Sequence, residues 1–190
     1  MLGPSPGPAR RAGFTFVELA MAMTVLLAAL LIFSSVVGTM ARQRASNRET
    51  TLAVAAARNT LETLRSEDFA ELFALYNGEP SDDPGGPGTA PGNRFSVAGL
   101  DPAEDAPDGL QGEIVFPTRV GEEGRIELRE DVELRDLGLP RDLSGDNVVD
   151  GEDHAADYFI LPVRVRVRWK GASGVREYQL ASQLCRYQKS

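Results

Sequence analysis

The stretch Arg10-Arg11-Ala12-Gly13-Phe14-Thr15-Phe16-Val17-Glu18-Leu19 opens an apolar run that reaches Val37. Residues 19–37 are almost wholly apolar, with Thr24, Ser34 and Ser35 as mild exceptions, long enough as a helix to cross about 30 Å of hydrocarbon. A secretory signal peptide places its basic residues first, its apolar core second and a small-residue cleavage site last. Here Arg10, Arg11 and the small pair Ala12-Gly13 all precede the apolar run. A cut after Gly13 would remove a short polar leader and leave the hydrophobic helix attached. The new chain would begin at Phe14 and carry a carboxylate, Glu18, four residues further on. Such a charge costs roughly 2.5–3.5 kcal/mol at the bilayer centre and less near an interface. At about 1.5 Å per residue Glu18 lies about 6 Å from the helix end, within reach of interfacial water.

Basic residues, a Gly before an aromatic, a Glu early in the mature chain and a long apolar helix coincide in Gly13-Phe14-Thr15-Phe16-Val17-Glu18. This combination resembles the processing site of type IV prepilins and type II secretion pseudopilins. The resemblance covers the leader and stem, roughly the first third of the chain. It implies cleavage between Gly13 and Phe14 by an aspartyl prepilin peptidase, N-methylation of Phe14, and pairing of Glu18 with the Phe14 ammonium of a neighbouring subunit during assembly. The residue-level alternative for Glu18 is a hydrated interfacial carboxylate. Phe16 stands where that family more often has an aliphatic residue, and Ala12 separates the arginines from Gly13. No proline occurs between Phe14 and Tyr76, whereas many major pilins carry one, which favours a minor or pseudopilin subunit. The implied partners are the peptidase, other pilin or pseudopilin subunits and an inner-membrane assembly platform.

The expected organisation is a cleaved leader (1–13), a transmembrane and assembly helix (14–39), an amphipathic half of the same helix (40–76) and a periplasmic head (77–190). The two arginines of the leader hold the N-terminus in the cytoplasm, although Arg42, Arg44 and Arg48 on the far side blunt that argument. Past the membrane, good helix formers continue to Tyr76, and Val54, Ala57, Leu61, Leu64, Leu72 and Leu75 recur near helical spacing. The face they form is expected to pack on the head, with Phe69, Phe73 and Tyr76 closing the helix onto a sheet.

Residues 77–93 hold Ser81-Asp82-Asp83-Pro84-Gly85-Gly86-Pro87-Gly88, a long connecting loop, and the acidic, Pro-rich stretch 101–109 reads as a second surface segment. Short strands are expected at 95–98 and 113–116. Ile126, Leu128, Val132 and Leu134 alternate with Glu127, Arg129, Asp131 and Glu133. Val163, Val165, Val167 and Trp169 alternate with Arg164, Arg166 and Arg168. The arginine row reads as the solvated face of an antiparallel sheet, paired across strands with the acidic row. Residues 175–184 supply a final strand. The fold class is therefore α+β, a long N-terminal helix on a small antiparallel sheet.

One loop carries chemistry of its own. In Asp142-Leu143-Ser144-Gly145-Asp146-Asn147-Val148-Val149-Asp150-Gly151-Glu152-Asp153, oxygen side chains fall at the first, third, fifth, ninth and twelfth positions. Asp142, Ser144, Asp146, Asp150, Asp153 and the Val148 carbonyl thus match the spacing of an EF-hand calcium loop, with Val149 as its packing residue. With Asp153 last, it resembles the calcium loops of dockerin modules. Asn147 takes the place of the usual Gly, and Asn is the best substitute in a left-handed turn. Structural Ca²⁺ is the expected cofactor; a flexible acidic loop is the alternative.

The formal charge of −8 argues against direct nucleic-acid binding, which requires clustered Lys and Arg. Cys185 is the sole cysteine, expected as a small buried residue on the last strand. The sole histidine, His154, is expected to be exposed beside the loop. No histidine triad, multi-histidine zinc site or phosphate loop can be assembled, so no catalytic role is expected. Two functional readings follow. The first is a processed, filament-forming subunit, and the second is a membrane-tethered calcium-binding module that does not polymerise.

Overall fold

The computed structural model describes residues 15–121, 124–172 and 174–186. Helix α1 (Phe16–Ser66) is followed by the short α2 (Leu72–Tyr76). Among the described residues six strands come next: β1 (Arg94–Phe95), β2 (Gly112–Val115), β3 (Thr118–Val120), β4 (Ile126–Leu128), β5 (Ile160–Gly171) and β6 (Gly174–Cys185). They form a four-stranded sheet in the order β1-β2-β5-β6 and a separate β3-β4 ribbon, with every pairing antiparallel. The fold is α+β, a long N-terminal helix packed on a small antiparallel sheet. The chain divides into two compact units, one ending at Arg44 and the other beginning at Ala45, and α1 contributes to both.

Within the second unit, the alternation along β5 from Val163 to Trp169 sets the packing. Leu161, Val163, Val165, Val167 and Trp169 are fully buried on one face, and Ala53, Ala57, Leu61 and Leu64 of α1 belong to the same core. These four recur at helical spacing. Ala53, not Val54, takes the buried position on the first of those turns, and Val54 is half-buried. Polar contacts fix this half of α1 along the β5-β6 hairpin. Ser46 accepts from Arg176, Glu49 accepts from the Trp169 indole at 3.1 Å, and Arg65 reaches the Ser182 hydroxyl at 3.5 Å.

The helix expected to run unbroken to Tyr76 stops at Ser66. The Asp68 carboxylate accepts from Ala70 N–H at 3.0 Å, a local turn that competes with helix. Buried Tyr158 then satisfies the interrupted backbone, donating its hydroxyl to Phe69 O and accepting from Phe73 N–H at 3.3 Å. The aromatic closure is present, with Phe69 against Tyr158 at 4.9 Å and Phe73 edge-on to Phe116 at 5.5 Å.

The row Glu127, Arg129, Asp131 and Glu133 does not face the arginine row. β4 ends at Leu128 and pairs with β3 rather than β5, because Arg129 N–H turns to Pro117 O at 2.8 Å and Arg129 itself binds Glu127 and Asp131. The arginines of β5 are half-buried and find other carboxylates: Asp136 for Arg164, Glu113 for Arg166, and Asp105 and Glu177 for Arg168. Asp105 comes from the acidic 101–109 stretch, which is largely exposed, as expected for a surface segment, and is tied along β5 by the Pro102–Trp169 bridge. Cys185, expected to be buried, is exposed at the end of β6, whose buried residue there is Leu184.

Gly112 pairs with Phe95 across β1 and β2, and a Cβ built on it would lie 2.2–2.5 Å from the Phe95 ring. Gly112→Ala must displace that ring. The expected loss is roughly 1–3 kcal/mol in chemical denaturation, against no change if the ring swings freely to solvent.

Candidate functional site

Two regions carry the residues that the sequence singles out. The first is the apolar part of α1, the one helix among the described residues that is long and apolar enough to cross a membrane. Gly13 and Phe14, the residues of the expected cut, lie outside the described residues. Thr15 sits just before the helix, and its hydroxyl accepts from Glu18 N–H at 3.2 Å. Thr15-Phe16-Val17-Glu18 therefore has half of a capping box, and the Glu18 carboxylate lies in the first turn, where the helix dipole favours negative charge. This local role for Glu18 was legible in the Thr-x-x-Glu spacing. Further along, Thr24, Ser35 and Thr39 donate their hydroxyls to backbone carbonyls of the preceding turn at 2.7–2.9 Å. These three hydroxyls are therefore satisfied within the helix and need no partner from lipid. Phe16, Leu19, Leu27, Leu31 and Phe33 are all exposed, a surface that needs lipid or other helices around it.

The second region is the 142–153 loop with the end of β4. Leu143 is fully buried, and its carbonyl accepts from Phe159 and Ile160 N–H, anchoring the loop to the start of β5. Asp142 accepts from Gly145 N–H at 2.6 Å and Asn147 N–H at 2.8 Å, and from the Ser144 hydroxyl at 3.3 Å. Led by the Gly145 bond, these hold its carboxyl below the ordinary range against a smaller opposing effect of burial. Asp146 accepts from Val148 N–H and Asp150 from Glu152 N–H. Asn147 adopts φ 68, the left-handed conformation its position demands. Val149, expected to pack, is exposed, since Leu143 fills that role. Asp153 ties back to β4, accepting from Leu128 N–H at 2.9 Å and Ala155 N–H at 3.1 Å.

The same tie carries His154 inward, its N–H donating to Leu128 O at 2.9 Å. His154 is therefore buried rather than exposed, and its neighbour is Glu130, the first buried carboxylate beyond β4. Glu130 Oε1 accepts from Leu143 N–H at 2.6 Å and Ser144 N–H at 2.9 Å, and Oε2 has no partner. The His154 Nε2 atom lies 3.2 Å from Asp150 Oδ1 and 3.7 Å from Glu130 Oε1, while Nδ1 lies 3.2 Å from Asp157 Oδ1. Burial alone would push the imidazole pKa down, but Asp150, Glu130 and Asp157 together outweigh it and hold it above the ordinary value.

Compared with known proteins, the chain matches no family model, no curated protein and no solved structure.

Of the six loop residues expected to bind a cation, Asp150 alone joins the cluster of Glu130, Asp150 and His154, whose donor atoms lie within 4.8 Å of one another. The sequence reasoning missed Glu130 and His154 as site residues. Glu130 is remote in sequence and sits in an apparently simple strand pattern. For His154 one signal existed, a sole histidine directly following the acidic loop.

Proposed function

We propose that this chain is a pilin-like structural subunit of a type II secretion pseudopilus or type IV pilus, in a minor position. It is inserted in the inner membrane with its N-terminus cytoplasmic and its head periplasmic, cut between Gly13 and Phe14 by a prepilin peptidase, and drawn by an assembly platform into a filament of pilin or pseudopilin subunits. The chain is a substrate of that peptidase and carries no catalysis of its own. The observation that carries this reading is the exposed apolar stretch of α1, which begins directly after the Gly13-Phe14 pair with Glu18 in its first turn. Stems of this kind bury their apolar surface in lipid and then against one another.

Intact mass and N-terminal analysis of the protein from membranes of cells containing a prepilin peptidase test the cleavage, with a chain starting at methylated Phe14 as the expected result. Glu18→Ala and Glu18→Gln both leave insertion and cleavage intact and both abolish incorporation into filaments. Both variants retain the residue-18 N–H bond to Thr15, and Gln loses the charge at nearly constant size, so filaments of normal Glu18→Gln content would count against the ion pair. An uncut chain would favour the second reading, a tethered calcium-binding module, whose supporting observation is the left-handed Asn147 in the 142–153 loop.

A further inference from the structure

We propose that Glu130, Asp150 and His154 form a binding site for one divalent transition-metal ion of the zinc class, pinning the acidic loop and the following turn to the end of β4. Two carboxylates and one imidazole are a donor set for such ions, and three protein ligands leave one position for water. Calcium, by contrast, takes six to eight oxygens, and imidazole selects for zinc and its neighbours. Metal–ligand distances of about 2.0–2.2 Å put tetrahedral donors about 3.3–3.6 Å apart. The Nε2 to Asp150 Oδ1 distance of 3.2 Å lies close to that spacing, and Nε2 lies 3.7 Å from Glu130 Oε1, the companion of the unpartnered Oε2 on the same carboxylate.

Two independent features point to a ligand. Glu130 is fully buried, and its Oε1 is taken by the Leu143 and Ser144 N–H groups, which leaves Oε2 without a partner. A buried carboxylate oxygen lacking a donor is costly, and a cation supplies what it lacks. The second feature is Asp157, which lies 3.2 Å from His154 Nδ1. With a metal bound in place of the Nε2 proton, Asp157 would accept the Nδ1 proton and hold the Nε2 lone pair toward the ion, the carboxylate–histidine–metal arrangement that orients metal-binding imidazoles. The nearby Arg129 charge is already matched by Glu127 and Asp131.

The ion would join three separate segments: the residues after β4 through Glu130, the loop through Asp150 and the turn into β5 through His154. The site is independent of the six-oxygen loop pattern and of whether the stem polymerises.

The test uses the full chain in detergent micelles, without a histidine tag and stripped with EDTA, titrated separately with ZnCl₂ and CaCl₂ by calorimetry. One Zn²⁺ per chain is expected, with a higher melting temperature, and Co²⁺ in its place gives the intense visible absorption of a low-coordinate site. His154→Asn and Asp150→Asn each weaken Zn²⁺ binding by at least about tenfold. Asp150→Asn retains an oxygen for Glu152 N–H, and circular dichroism confirms that it folds. Cys185→Ser binds as the wild type does. Absence of Zn²⁺ binding, binding untouched by the His154 and Asp150 substitutions, loss in Cys185→Ser, or heat with Ca²⁺ alone would each overturn the assignment.

Discussion

Trp169→Ala lowers the stability of the head by about 3–5 kcal/mol, the range for removing a fully buried aromatic side chain. Trp169 is 1% exposed on β5 and belongs to the core shared by α1 and the sheet. Its truncation leaves a cavity that the β5-β6 hairpin cannot fill, because its register is set by twelve consecutive residue pairs. The indole also does polar work. Its N–H donates to Glu49 of α1 at 3.1 Å, and the Arg176 guanidinium lies 5.5 Å from the ring centroid while binding Ser46. Trp169→Ala therefore loosens this half of α1 as well as the sheet. Trp169→Phe separates the two effects, since it retains most of the volume and loses the Glu49 bond, at about 1–2 kcal/mol. Urea unfolding of the full chain in micelles, followed by circular dichroism, measures both. A loss below about 1 kcal/mol for the alanine variant would mean that the helix does not rest on this residue.

Tyr158→Phe is the second large effect, about 1–3 kcal/mol, from two backbone groups left unsatisfied with no loss of ring packing. The hydroxyl donates to Phe69 O and accepts from Phe73 N–H, spanning the gap between α1 and α2. The ring stays against Phe69. The same residue sets an alkaline limit. Burial pushes its phenol above the ordinary value, with the Phe73 bond opposing less strongly. In the unfolded chain it ionises near the ordinary tyrosine value of about 10. Because the folded pKa is the higher one, this contribution is complete below about pH 10 and is lost as pH rises through the folded value. Wild-type stability should therefore fall more steeply between pH 9 and pH 11 than that of Tyr158→Phe. Equal slopes would show that the phenol is not held neutral by the fold.

Short-range patterns were legible wherever a single element decides its own surroundings. The apolar run up to Val37 reads as a membrane-length helix without reference to anything else, and the alternation from Val163 to Trp169 reads as a half-buried strand. Asn147 reads as a left-handed turn because that conformation is a property of one residue and its neighbours. The reading went astray where the outcome hangs on distant partners. Unbroken helix to Tyr76 fits the local propensities, yet Tyr158, far along the chain, rewards a break at Phe69. The acidic row beginning at Glu127 has a strand's period, but Arg129 meets its counter-charges within its own segment and the strand ends.

The candidate site divides along the same line. The order of carboxylates in 142–153 is a property of the sequence, as are the Thr15-to-Glu18 start of the stem and its apolar length. Burial of His154 and its approach to Glu130 are not. They follow from Asp153 and His154 pairing with Leu128 and from Leu143 and Ser144 closing on Glu130. Those contacts bring together segments well separated along the chain, and only the closed core makes such loop closure favourable. Local periodicity decided what each element is; the tertiary packing alone decided which carboxylates share a centre with the histidine.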